Sequence, residues 1–211
     1  MTLILQGRVP VSSRMPRSGA IILFVLAATA TVADAQSNVR SRVPFETVSL
    51  SLGAAIDARR SANLEGWDPS PGVDVRVLFP FYAGTVELGA TQSSFESTID
   101  GVPGFRARYI FVGWGAGLRP VRPLTWRTGA RLGVYDLQFD DATLPDYTRS
   151  ENEFAAELVS DLDMAIGRGW SVVAGAGGRV VFTEPRMRQL TISAAVRRRF
   201  ISPEWLRDFL D

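Results

Sequence analysis

Residues 186–200 read RMRQLTISAAVRRRF. Leu190, Ile192, Ala194 and Val196 are apolar, and Gln189, Thr191, Ser193 and Arg197 are polar or small. Side chains of a strand point alternately to opposite faces, so this pattern predicts a strand with two unlike faces. It closes on an aromatic, Phe200, with eleven residues to follow. The fold turns on which way each face looks: apolar side chains in towards a core, or out towards lipid.

The same alternation recurs upstream. Eight strands are expected, over 45–59, 73–80, 85–95, 105–118, 124–139, 152–166, 170–183 and 187–200. Most exceed the usual five or six residues of soluble strands. They suit the roughly 9–11 tilted residues of a membrane-crossing strand with an extension beyond it. Their connections alternate in length. Residues 81–84, 119–123 and 167–169 read as tight turns, and 59–72, 96–104 and 140–152 as longer polar loops, with a short last connection at 184–186. Short turns at one end and longer loops at the other are the pattern of outer-membrane barrels, with both termini on the turn side.

A lipocalin-like soluble barrel would alternate in the same way with its faces exchanged. Three features favour apolar-out. Aromatics fall where membrane-interface girdles belong: Trp126 and Trp170 open strands just after turns, Phe79 stands before one, and Phe200 closes the last strand, all at one level. Phe95, Phe105, Phe139, Phe154 and Phe182 lie at the far ends and read as a second girdle. The polar face, in turn, is mostly Gly and Ser, such as Ser49, Ser51, Gly113, Gly115 and Gly175. A narrow eight-stranded interior needs such small residues beside its few large ones. Finally, the charges on that face are complementary. Arg127 and Arg131 on strand five, Glu157, Asp161 and Asp163 on strand six, and Arg179 on strand seven form an expected structural charge network in the lumen. Counting from the 167–169 turn sets Glu157 opposite Arg179, and counting across the 140–152 loop sets Arg131 near Asp161. Asp136 and Arg198 fall on the apolar parity but at strand ends, where charge reaches the headgroups.

With its eight alternating segments, the export signal that Arg17, the apolar run 20–28 and Ala33-Asp34-Ala35 spell, and its closing aromatic, the chain resembles the small outer-membrane barrels of diderm bacteria, of the OmpA-transmembrane-domain, OmpX and OmpW kind. The likeness covers about 45–200. It implies an all-β, eight-stranded antiparallel up-and-down transmembrane β-barrel in the outer membrane, monomeric and surrounded by outer-membrane lipid. It also implies a closing strand read by the barrel-assembly machinery.

The segments outside the barrel follow from simpler signals. Arg17, the apolar run 20–28 and Ala33-Asp34-Ala35 make 1–35 a cleaved signal peptide, with Met15 the expected start. The apolar run is too short for a spanning helix, which needs roughly 20 residues. Residues 36–44 become a periplasmic lead. Residues 201–211 become a periplasmic tail, a short helix started by Ser202 as N-cap and Pro203 at N1.

Composition removes most chemistry. Among 211 residues there is no His and no Cys, and all 23 basic residues are Arg. A Ser–His–Asp site is impossible, and so are thiolate metal sites and disulfides. Gly113-Trp-Gly-Ala-Gly117 and Gly175-Ala-Gly-Gly178 lack the Lys and following helix of a phosphate loop. Asp140, Asp141, Asp146 and Glu151 form an acidic loop better read as solvated than as a cation site. The Arg197–Arg199 run reads as straddling headgroups and barrel mouth. The net formal charge is only +1, which gives no electrostatic case for nucleic acid. No catalytic residue, cofactor or metal is expected. The expected function is a structural or surface-contact role in the outer membrane. A soluble periplasmic lipocalin-like barrel binding a small apolar ligand, and a narrow conduit for small apolar compounds, are the alternatives.

Overall fold

The computed structural model of the protein describes residues 44–140 and 150–205. The expected signal peptide and cleavage site, most of the expected N-terminal lead, most of the acidic loop and the tail beyond Trp205 lie outside the described residues. Eight strands follow one another: β1 (Thr47–Arg60), β2 (Trp67–Phe81), β3 (Gly84–Ser97), β4 (Phe105–Val121), β5 (Leu124–Phe139), β6 (Ser150–Gly167), β7 (Trp170–Val181) and β8 (Met187–Ile201). Each pairs antiparallel with the next, and β8 returns to β1, closing an up-and-down barrel. Along the span where all eight strands pair, closure leaves no strand edge open, which is what lets a sheet sit in lipid without unpaired backbone groups.

The parity of every strand is as its sequence predicts. Leu52, Ile110 and Leu158 are 60%, 56% and 57% exposed, and with Val73, Leu88, Leu132, Val172 and Ile192 they form an outward apolar belt. Ser51, Asp74, Arg76, Glu87, Arg131, Glu157 and Asp161 are buried inside. A soluble barrel would have its apolar side chains within, so the inside-out alternative fails on the exposed face alone. The turn between β6 and β7 is the two-residue Arg168-Gly169 with φ of 49° and 79°. Both values are positive, as a type I′ hairpin requires, and Gly169 takes its value without a side-chain clash.

Two expectations about elements need correction. The polar loop expected over 59–72 is mostly strand: β1 runs to Arg60 and β2 starts at Trp67, with a single-turn 3-10 helix (Ala62–Leu64) between them. Pro69 and Pro71 made this stretch read as loop. The register with β1 stops at Ala55–Gly72, however, so above that level β2 pairs only with β3, as in Trp67–Ser97 and Pro69–Phe95. An irregularity between Ser70 and Val73 takes up Pro71. Proline is tolerated at such a one-sided, bulged edge because no ladder needs its missing N–H.

The upper aromatic girdle is also only partly outward. Phe154 and Phe182 are exposed, but Phe95 and Phe105 are 1% and 3% exposed and point into the lumen. They join Leu64, Tyr109, Phe111, Tyr135, Leu137, Val181 and Met187 in an apolar cluster at the end of the barrel away from the tight turns, with Trp67 and Phe139 packed against it. Phe95 stacks on Phe105 at 4.5 Å between centroids. Leu64, from the short helix, caps the cluster. The lumen is thus apolar at one end, although its strands read as small and polar along their inward face.

Candidate functional site

The inward side chains of five strands meet in the middle of the lumen. β6 presents Glu157, Asp161 and Asp163 at alternate inward positions, and β5 presents Arg127 and Arg131. Arg179 comes from β7, Asp74 and Arg76 from β2, and Glu87 from β3. Small neighbours make room for them. A side chain at Gly175 would run into Asp161 Oδ1, and one at Gly177 would stand 2.6 Å from Glu157 Oε1.

These groups form one chain of alternating sign. Arg76 lies 2.5 Å from Asp74 and 3.2 Å from Asp161. Arg127 donates to Asp161 at 2.8 Å and faces Glu87 at 3.9 Å. Arg131 donates to Glu87 at 2.5 Å and to Glu157 at 3.1 Å, and Arg179 to Glu157 at 3.2 Å. The order Asp74, Arg76, Asp161, Arg127, Glu87, Arg131, Glu157, Arg179 is electrically neutral, with like charges kept from adjacency. A buried charge is tolerable when paired and hydrogen-bonded and very costly when not, so the chain is stable as a whole and vulnerable at each member. Its upper end grades into the apolar cluster. The Arg131 guanidinium lies 4.6 Å from the Phe111 ring centroid and that of Arg179 lies 4.3 Å from the Tyr109 centroid. Tyr135 accepts a hydrogen bond from Gln189 Nε2 at 3.0 Å, and Thr191 donates to Asp57 at 2.8 Å.

Of the six lumen residues expected from sequence, five lie in this chain. Glu157 stands opposite Arg179, as counted from the turn. Arg131, however, is opposite Glu157, and Arg127 is opposite Asp161, so the expected Arg131–Asp161 pair is corrected. The cause is the long connection between β5 and β6. Its strands reach Phe139 and Ser150, which sets the register Gln138–Ser150 and moves each partner by four residues. Asp163, the sixth, leaves the chain and accepts instead from Arg197. Arg197 is therefore a lumen residue, while Arg198 next to it faces outward, 4.9 Å from the Trp170 ring centroid and 5.2 Å from that of Phe200. The Arg run thus divides between the two faces by parity, Arg197 inward and Arg198 outward, as a run straddling the barrel wall would. Asp74, Arg76 and Glu87 were missed. Their inward parity was the available signal, but on sequence alone each lacked a counted partner.

The four aromatics expected at the lower interface all point outward at the end with the tight turns. Trp126, Trp170 and Phe200 are exposed there. Phe79 is half-buried and packs on Phe45 at 5.7 Å. Trp126 Nε1 donates to Ser160 Oγ at 2.8 Å, so its polar edge is satisfied while the ring remains outside.

No protein-family model matches this chain, and no curated protein matches it in sequence. Solved structures match it in fold. Neisserial surface protein A, NspA, aligns with a TM-score of 0.54 at 17% identity, over 73% of this chain and 96% of that one. Ail, the attachment invasion locus protein of Yersinia pestis, aligns with a TM-score of 0.53 at 14% identity, over 74% of this chain and 99% of that one. At such identities the likeness is one of fold, and the fold is the small eight-stranded outer-membrane barrel.

Proposed function

From that fold, we propose that the protein is a monomeric barrel of the outer membrane of a diderm bacterium, with a structural or surface-contact role and no catalytic activity. It is exported through the signal peptide expected at 1–35 and inserted by the barrel-assembly machinery. Outer-membrane lipid covers the apolar belt, and Phe79, Trp126, Trp170 and Phe200 lie at its lower interface. One observation carries this reading: the lumen is filled twice over, by the neutral ionic chain across its middle and by the aromatic cluster above it. A solute in transit would have to separate buried charge pairs and then displace packed rings. That argues against the narrow-conduit alternative. The absence of His and Cys removes the commonest general base and the thiol nucleophile. Through the apolar belt the sheet is closed and has no free edge that would call for a partner strand. NspA is a surface protein and Ail an attachment invasion locus protein, which agrees with a role at the cell surface.

The test has two readouts on the full chain. Outer-membrane fractions are run on a gel with and without boiling, and the folded protein is reconstituted in planar bilayers. A heat-dependent mobility shift without steady ohmic conductance is expected. A soluble periplasmic product would overturn the membrane reading, and stable conductance steps would overturn the closed lumen.

A further inference from the structure

Below the ionic chain, the lumen widens into a cavity of about 730 Å3 that opens at the end carrying the tight turns. This is within the range of small-molecule sites, roughly 300–1,000 Å3. Its charge is not balanced as the chain above is. Arg119, Arg122, Arg127, Arg197 and Arg199 line it, against the carboxylates Glu46 and Asp163. Arg119, Arg122 and Arg199 are exposed around the mouth. Arg127 is already held by Asp161 at 2.8 Å.

Arg197 is the informative member. It is only 5% exposed, and its Nη1 donates to Asp163. Its Nε and Nη2 are buried with no hydrogen-bond partner among the described residues. Those two nitrogens form one edge of the guanidinium fork, an edge that can hold two oxygens of a carboxylate or phosphate at once. A buried charged donor without an acceptor is costly. Arg197 also lines the cavity, so its charge, paired only with Asp163, lies beside that space. The exposed arginines at the mouth would draw an anion inward.

We propose that this vestibule is a binding site for a small solute bearing a phosphate or carboxylate group, with Arg197 as its inner anchor and Arg122 and Arg199 as its outer contacts. Glu46 and Asp163 keep the pocket from being uniformly cationic and disfavour anions too large to avoid them. The side of the membrane that supplies the solute, the periplasm, rests on the orientation proposed above, but the binding itself does not.

The test uses the full chain folded in uncharged detergent and titrated with inorganic pyrophosphate by calorimetry, with sodium chloride at matched ionic strength as the control. Saturable binding to one site is expected. Arg197→Gln should weaken it about tenfold or more, the loss of the innermost positive charge. The double variant Arg122→Gln/Arg199→Gln should also weaken it, and Arg106→Gln, at the opposite end of the barrel, should leave it unchanged. Absence of saturable heat overturns the site, and so does equal weakening by the Arg106 variant and the mouth variant. Should Arg197→Gln fail to fold, the mouth variant decides, since its positions are exposed. Failure of this binding leaves the closed-barrel reading intact, because that reading is judged by heat shift and conductance.

Discussion

Glu157 holds two guanidiniums at once, Arg131 at 3.1 Å and Arg179 at 3.2 Å, with its side chain 1% exposed. Glu157→Ala would strand both charges in the lumen and should cost about 3–5 kcal/mol of unfolding free energy. Arg106→Ala is the counterpart outside. Its pair with Asp140 is 3.7 Å long and more than half exposed on both sides, and its loss should cost about 0–1 kcal/mol. Urea unfolding of both variants, folded in the same lipid, compares them directly, and equal losses would refute the buried role of Glu157. At this scale legibility depended on what lay between the partners. Glu157 and Arg179 flank a two-residue turn, so counting sufficed. Arg131 and its true partner flank the long β5–β6 connection, where the strand ends are not written in the sequence, and the count slipped. Parity alone marked Asp74, Arg76 and Glu87 as inward, and Asp74 and Arg76 pair along one strand, but their other partners are decided across the lumen. Arg76 reaches Asp161 on β6, a strand not bonded to its own. No local pattern encodes such a contact.

At the scale of the strand, alternation was enough. Every strand was located from its period of two, and every outward set is the apolar one. What failed were ends, and for a physical reason: above the apolar belt, strands need only one paired side, so prolines and polar residues that signal a loop can still be strand, as in β2. The outward face of β6 offers the sharpest check. Leu158 lies opposite Ala130, midway along the belt. Leu158→Arg should destabilise the folded barrel by about 2–4 kcal/mol, the cost of a cation near the bilayer midplane. The same variant in detergent micelles, where the headgroup region is closer, should lose less. Denaturant titrations in bilayers and in micelles measure the two losses, and a bilayer loss no greater than the micelle loss would place Leu158 away from the hydrocarbon. At the start of the neighbouring strand β5, Trp126 illustrates why interface aromatics were legible: a ring that opens a strand after a turn has one level to occupy, and its N–H finds Ser160 of β6 there.

For the whole molecule, three layers stack along the barrel axis: the cationic vestibule, the neutral ionic chain and the aromatic cluster capped by Leu64. The sequence foretold that the lumen is polar and packed, but not that it is layered. The inward aromatics sit on the same parity as the glycines and serines, and only the closed ring reveals that they share one height. The layering makes the two seals act in series, which has a consequence for transport. Phe105 is central to the upper seal, with Phe95 stacked on it at 4.5 Å, Phe139 at 5.6 Å and Trp67 at 5.8 Å. Phe105→Ala should leave a cavity and cost about 3–5 kcal/mol, yet open no path, because the charge chain beneath is untouched. Arg131→Ala alone should weaken the lower seal but remain covered by the rings. Steady conductance in planar bilayers is therefore expected only when the two substitutions are combined. Conductance from Phe105→Ala alone would mean that the ionic chain is no barrier and that the rings alone close the barrel. Conductance from Arg131→Ala alone would mean the reverse.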